Sequence, residues 1–234
     1  MARKFYLTLF LLCLLVFYFE FNLSGQSDYY PLNSGTQFVY EVKATQKSSS
    51  SLPQEQILSA MILHLGPASV QGKTVTPEGR YIDGKLAGVT FVADDETGIY
   101  YYANQNSNQK KPVVMNPIQY LIKYPVQTGS RWKQQSSGFE MVNDRKLPIT
   151  LDASIVSDNE IVSVPAGVYV KCLKVEMTGK LPSLNGGPEF RISNQLWYAP
   201  GLGMIKQVQT EERLLSAPSS FTMVLNLQKV VYGE

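Results

Sequence analysis

Gln37-Phe38-Val39-Tyr40-Glu41-Val42-Lys43-Ala44 places Phe38, Tyr40, Val42 and Ala44 in alternation with Gln37, Glu41 and Lys43, and Val39 is the one apolar residue out of phase. Successive side chains of an extended chain point to opposite sides, so a period of two marks a strand with one buried face. A helix would space its apolar positions three and four apart. The polar stretch Gln46 to Gln54, with serines at 48 to 51, reads as the loop that follows.

Further along, Ile57 to Leu65 is apolar on both faces, and its length suits either a buried strand or a helix. Its surroundings favour a strand: Gly66-Pro67 closes it, and Gly72, Asp83-Gly84 and Asp94-Asp95-Glu96 with Gly98 mark turns at short intervals. The same spacing predicts strands near 55–65, 73–82, 86–93, 98–103, 131–136, 139–144, 148–157, 160–164, 168–177, 190–198, 202–212 and 221–232. Val113 to Tyr124, interrupted by Pro117 and followed by Pro125, is expected to run extended along a sheet edge. The fold class is therefore all-β: a curved antiparallel sheet, as a half-barrel, an open barrel or a sandwich, preceded by an N-terminal hydrophobic signal helix.

That N-terminal segment begins with Arg3 and Lys4 and continues from Phe5 to Phe19 without a charge until Glu20. Fifteen helical residues reach roughly 22 Å, short of a ~30 Å hydrocarbon core, so an export signal is favoured over a permanent anchor. Gly25 and Ser27 suit cleavage before Asp28, with a cut after Gly25 as the alternative. Cys13 is preceded by Leu12 rather than a small residue and sits within the apolar run, which speaks against lipid attachment there. Residues 1–27 thus form the signal peptide or signal anchor. Residues 28–234 form a single β domain, or two β halves joined around 104–112, where Asn104 to Lys111 is polar.

The 207 residues after the signal carry 19 basic and 18 acidic side chains, a balance that leaves no footprint for nucleic acid. A membrane would be met only through residues 5–19 if they stay uncleaved. Cys172 is the one cysteine beyond the signal, so no disulfide can form within the exported chain.

One passage of the sequence echoes another. Tyr30-Pro31-Leu32-Asn33-Ser34-Gly35-Thr36-Gln37-Phe38 aligns with Tyr124-Pro125-Val126-Gln127-Thr128-Gly129-Ser130-Arg131-Trp132, 94 residues later. Each reads as an aromatic, a proline, a turn with a glycine free to take positive φ, and an aromatic opening the next strand. Two β halves introduced by one kind of turn are the expectation.

Four pieces of the chain carry a resemblance: Tyr29-Tyr30-Pro31-Leu32 with Gly35, Tyr124-Pro125-Val126 with Gly129 and Trp132, Val164-Pro165-Ala166-Gly167-Val168-Tyr169 leading to Cys172, and Trp197-Tyr198-Ala199-Pro200-Gly201-Leu202-Gly203. In order and spacing they resemble a group of uncharacterised exported bacterial β proteins. The resemblance implies an envelope location and a curved antiparallel sheet akin to the half-barrels of lipoprotein carriers. The chain departs from that pattern at Gln37-Phe38, where a tryptophan is expected. No activity is established for the group, so no functional residue is carried over.

Catalytic constellations are hard to assemble. His64, flanked by Leu63 and Leu65, reads as a packed histidine, and Cys172, inside a β run, as a buried, inert thiol. Gly66 to Thr74 looks like a phosphate-binding loop, but it has five residues between its glycines, a proline, and a strand where a helix should start. Asp94, Asp95 and Glu96 lack the spacing of a calcium loop and read as a hairpin tip. No catalytic residue, metal or cofactor is assigned. A carboxylate-based hydrolase site, Asp152 with Asp158 or Glu140 with Asp144, is the enzymatic alternative.

The aromatics are in surplus. Tyr100, Tyr102 and Trp132 are the candidate lining of an apolar-ligand site on the concave side of the sheet. Gly35, Gly129, Gly167, Gly201 and Gly203 are the structural turns. The expectation is an exported protein, periplasmic or extracellular, more binding module than enzyme, whose partner is a lipid-like ligand or another envelope protein.

Overall fold

The computed structural model describes residues 27–48, 51–139, 146–181, 189–214 and 219–233. The signal segment and Glu140 and Asp144 of the hydrolase alternative lie outside them, as does most of the strand expected at 139–144.

Among the described residues a short 3-10 turn, Ser27–Tyr29, leads into thirteen strands. They are β1 (Gln37–Ser48), β2 (Ser51–His64), β3 (Ala68–Val70), β4 (Lys73–Ile82), β5 (Lys85–Asp95), β6 (Gly98–Asn106), β7 (Val113–Lys123), β8 (Arg131–Phe139), β9 (Lys146–Val164), β10 (Gly167–Leu181), β11 (Phe190–Ala199), β12 (Gly203–Arg213) and β13 (Ser219–Val231). The ambiguous Ile57–Leu65 segment lies in β2 up to His64, a strand. The expected loop at 46–54 is instead largely the end of a hairpin, with Ser48 paired to Ser51. Cross-strand backbone pairing satisfies the ladder whatever the side chains, so polarity alone does not break a strand. For the same reason the strands expected at 148–157 and 160–164 are one 19-residue strand, β9, whose bulges against β10 absorb the polar Ser157-Asp158-Asn159.

Twelve of the strands form one antiparallel path in the order β7-β6-β5-β4-β2-β1-β13-β12-β11-β10-β9-β8, and β3 pairs only with β4. The path curls into a nearly closed barrel, and Gln119 Nε2 donates to Gln135 O at 3.4 Å across the seam between β7 and β8. It consists of two consecutive six-strand meanders, β1 to β7 without β3 and β8 to β13, joined laterally where β1 pairs with β13. The chain passes from one meander to the other through 124–130, and 107–112 connects β6 to β7 inside the first.

Both meanders open with the same docked turn. In the first, Gly35 N donates to His64 O (2.8 Å), Thr36 N to Asn33 O (3.3 Å) and His64 N to Thr36 O (2.9 Å). In the second, Gly129 N donates to Ile155 O (2.8 Å), Ser130 N to Gln127 O (3.0 Å) and Ile155 N to Ser130 O (3.0 Å). The sequence echo is thus a structural repeat, with His64 and Ile155 in equivalent places.

The barrel is filled at one end. One cluster packs Val92, Ile99 and Ile122 against Trp132, Ile155, Leu173, Val175 and Tyr198. A second packs Phe38, Tyr40 and Val42 with Val162, Val164, Cys172, Ile205 and Leu227. Each such buried side chain contributes about 1.5–3 kcal/mol. The Val164 to Gly167 turn folds over this end, and Ala166 N donates to Leu227 O at 3.0 Å. A third cluster lies outside the barrel wall, where β3 brings Val70 onto Val75, Phe91, Ala93 and Tyr100.

Candidate functional site

Directly paired residues of antiparallel strands share a face, so the registers show which side chains look inward. Val175, Leu196, Gln207, Leu225, Val42 and Leu58 form one row across β10, β11, β12, β13, β1 and β2, and Val175, Leu196 and Val42 belong to the buried clusters. The next row is Met177, Asn194, Gln209, Met223, Ala44 and Gln56; beyond it stand Ile192, Glu211, Phe221 and Gln46. From Leu58 and Leu225 outward, most of this wall is partly exposed. The inner face beyond the core is therefore an open cup, with apolar stripes on β11 (Phe190, Ile192) and β13 (Phe221, Met223, Leu225) flanking a polar stripe on β12 (Gln207, Gln209, Glu211). Gln207 Nε2 donates to Asn194 Oδ1 (3.0 Å) and Gln209 Nε2 to Glu211 Oε1 (2.8 Å), which holds the polar stripe in place.

A buried polar cluster lies in the first meander. Glu78 on β4 is fully buried, at 0% exposure, opposite His64 on β2, at 2%. Tyr30 OH donates to Glu78 Oε1 at 2.7 Å. His64 Nε2 lies 3.3 Å from the same oxygen, so that nitrogen carries the proton. Arg80, two residues on and so on the same face, brings Nη2 to 3.5 Å from Glu78 Oε2 and donates to Tyr101 OH at 2.5 Å, its guanidinium 4.8 Å from the Tyr101 ring centre. Burial disfavours a carboxylate, yet the His64 hydrogen bond and the Arg80 charge outweigh it and hold Glu78 below its ordinary pKa. Burial, with the Glu78 charge adding to it, pushes the Tyr30 phenol well above its ordinary value.

His64 is packed, as its apolar flanks suggest, but against a carboxylate that periodicity could not pair with it. The strand register makes that pairing. Glu78 and Arg80 were missed because in sequence they look like the outward polar residues of an alternating strand. Among the described residues, His64 Nδ1, Glu78 Oε2, Arg80 Nε, Trp132 Nε1 and Tyr198 OH are buried without a hydrogen-bond partner. The pocket against His64 is about 10 Å³, too small for an organic guest. A larger cleft, about 300 Å³, lies on the opposite face of β11 and β12 against polar side chains such as Ser193, Gln195 and Thr210.

The expected ligand-lining aromatics are not brought together. Tyr101, paired with Val92, faces inward, whereas Tyr100, paired with Ala93, packs outside with Tyr102 beneath β3; the pairing of β6 with β5, which has one bulge at Tyr102, sets this phase. Tyr100 OH donates to Asp95 Oδ2 at 2.6 Å. Trp132 is buried in the core between the two walls. Gly35, Gly129, Gly167, Gly201 and Gly203 stand at φ values of 80°, 93°, 145°, 71° and 114°.

At the tip expected between 94 and 98, Asp95 also receives Lys73 (2.6 Å) and Thr97 N (2.9 Å), and Tyr124 OH donates to Asp94 (3.0 Å). Asp152 and Asp158 lie six residues apart on β9, roughly 20 Å by strand rise, and Asp152 is 3.4 Å from Lys133. Cys172 is fully buried, and burial pushes its thiol up to about 11.

No protein-family model and no curated protein matches the chain. Two solved structures are similar to it. One, from Bacteroides fragilis, is described as an exported protein with a YmcC-like fold; it is 10% identical over 86% of this chain and 98% of its own, with a TM-score of 0.39. The other, from Parabacteroides distasonis, is described as a lipoprotein and is 13% identical over 87% of this chain and 98% of its own, also with a TM-score of 0.39. Likenesses of that size assign no function, and the all-β barrel rests on the strand pairing itself.

Proposed function

We propose that this chain is an exported, non-enzymatic envelope protein whose open barrel end holds an amphipathic guest. The observation that carries the reading is the half-exposed inner wall above the core, where apolar stripes on β11 and β13 border a polar stripe on β12. A sheet built only to close on itself would bury that wall against another element. Here the wall from Val42 to Ser48 extends about 20 Å with both faces partly open. A concave, mixed surface of that depth suits a molecule with an apolar body and a polar part. Tyr30, His64, Glu78 and Arg80 of the barrel interior are engaged with one another, which supports binding over catalysis.

An envelope protein as partner is favoured by one observation. Ile161, Val168 and Val170, at the β9–β10 end of the barrel, are 73, 67 and 58% exposed.

Native mass spectrometry of protein gently extracted from its own envelope tests both. The expected result is a mass excess that organic extraction removes. A bound polypeptide would move the reading to the partner, and a bare-chain mass together with no uptake of a fluorescent fatty acid would end the cup reading.

A further inference from the structure

The polar stripe of β12 ends in a cation. Arg213 is the last residue of the strand, directly opposite Phe190 on β11 and Ser219 on β13, and two residues beyond Glu211 on the same side of the chain. It therefore carries the stripe of Gln207, Gln209 and Glu211 to the rim of the cup. Leu214 N donates to Glu189 O at 2.9 Å, which ties this end of β12 to β11. A hollow of about 20 Å³ at the rim is lined by Arg213 together with Phe190, Phe221, Glu211, Gln46 and Ser219, so the arginine and the apolar stripes of both neighbouring strands meet in one place. That is room for a small polar head and not for a whole guest.

The charge of Arg213 is unanswered. Among the described residues it has no ion-pair or hydrogen-bond partner, and its Nε is buried without an acceptor. The carboxylates around it are turned to other groups: Glu211 Oε1 accepts from Gln209 Nε2 at 2.8 Å, and Glu189 lies 3.7 Å from Arg191 and 4.0 Å from Lys180. Glu212 alternates to the outer face, opposite Arg191. A buried donor without an acceptor is costly, and a ligand that supplies one recovers the cost. Arg213 is partly exposed and lines the hollow, so a group entering there meets its side chain. A guanidinium is a planar fork that takes a carboxylate through two parallel hydrogen bonds.

We propose that Arg213 is the head-group site of the cup and receives the carboxylate of a single-chain amphiphile at the rim. This rests on the cup reading above. Glu211, on the same face, already supplies one negative charge, so a monoanion fits beside it better than a dianionic phosphate. The guest's chain then descends along Phe221, Met223 and Leu225, about 20 Å by strand rise from the level of Ser219, to the row where Leu225 meets buried Val42.

The test uses the full chain with cis-parinaric acid and its uncharged methyl ester, followed by fluorescence. Wild type is expected to bind the acid about tenfold more tightly than the ester. Arg213→Gln should lose that preference by weakening the acid alone, whereas Arg191→Gln, on the outer face of the same edge, should keep it. Equal binding of acid and ester by wild type overturns the head-group assignment while leaving the cup. An acid preference that survives Arg213→Gln, or that falls as far with Arg191→Gln, overturns it as well. Failure of wild type to bind either probe removes the cup reading and this one with it. Because the acid-to-ester ratio is read first on wild type, the proposal stays open to refutation even if Arg213→Gln does not fold.

Discussion

The two meanders share an opening turn, hydrogen bond for hydrogen bond, and differ in what stands behind it. Behind Gly35 lies a buried ionic cluster, His64, Glu78 and Arg80; behind Gly129 lies the hydrocarbon pair Ile155 and Val175. The tyrosine before each proline follows suit: Tyr30 gives its hydroxyl to Glu78 inside the barrel, and Tyr124 gives its own to Asp94 at the surface. The comparison separates what the architecture requires from what one half has added. Backbone hydrogen bonds and a positive-φ glycine suffice for the turn. The turn itself does not require the charges.

The largest effect should come from moving the polar chemistry to the wrong half. Val175→Glu would place a carboxylate opposite Ile155 and Leu196, where Glu78 has His64 opposite it, and it should cost about 4 kcal/mol or more. Glu78→Ala, which strands His64 and Arg80, should cost about 3 kcal/mol. Urea midpoints of the two variants check both. A Val175→Glu protein as stable as wild type would mean that the second site tolerates charge and that the halves do not differ as described.

A smaller effect should distinguish the turns themselves. Gly35 and Gly129 both have positive φ, but a Cβ at Gly35 would come within 2.9 Å of Gly233 Cα, whereas at Gly129 it would meet nothing within 4 Å. Gly129→Ala should therefore cost about 1 kcal/mol for its backbone alone, and Gly35→Ala about 2. Equal costs in thermal unfolding would show that the C-terminal residues yield freely at the first turn.

The smallest difference is read from pH. Folding raises the Tyr30 pKa, so its contribution is fully present below the unfolded value near 10 and is lost as pH rises through the folded value. Glu78 works in the opposite sense: its folded pKa is lowered, so its contribution is present above about 4.5 and lost as pH falls through the folded value. Tyr30→Phe should flatten the alkaline limb of the stability profile. Tyr124→Phe, with a partly exposed ring whose phenol is also raised, should flatten it less. Equal flattening by the two would place the Tyr30 phenol in a solvent-like site.

Local chemistry determined most of the strands. Alternation at Phe38, Tyr40 and Val42, glycines with positive φ and the Asp94 to Gly98 tip are short-range features, and β4 spans the predicted 73–82. The repeated Tyr-Pro turn was also legible, because both copies use the same residue types for the same backbone conformation. Register and curvature were not. Whether Tyr100 or Tyr101 faces inward depends on how β6 registers with β5, where a bulge at Tyr102 shifts the phase of the strand by one residue without altering its composition. The cluster of Tyr30, His64, Glu78 and Arg80 spans three segments whose meeting is set by β2–β4 pairing and by the docking of the first turn. In sequence those residues are an aromatic before a proline, a histidine between leucines and two charges on an alternating strand. Only the closed path of strands turns them toward one another, because burial and charge pairing are properties of the space between strands and not of any one of them.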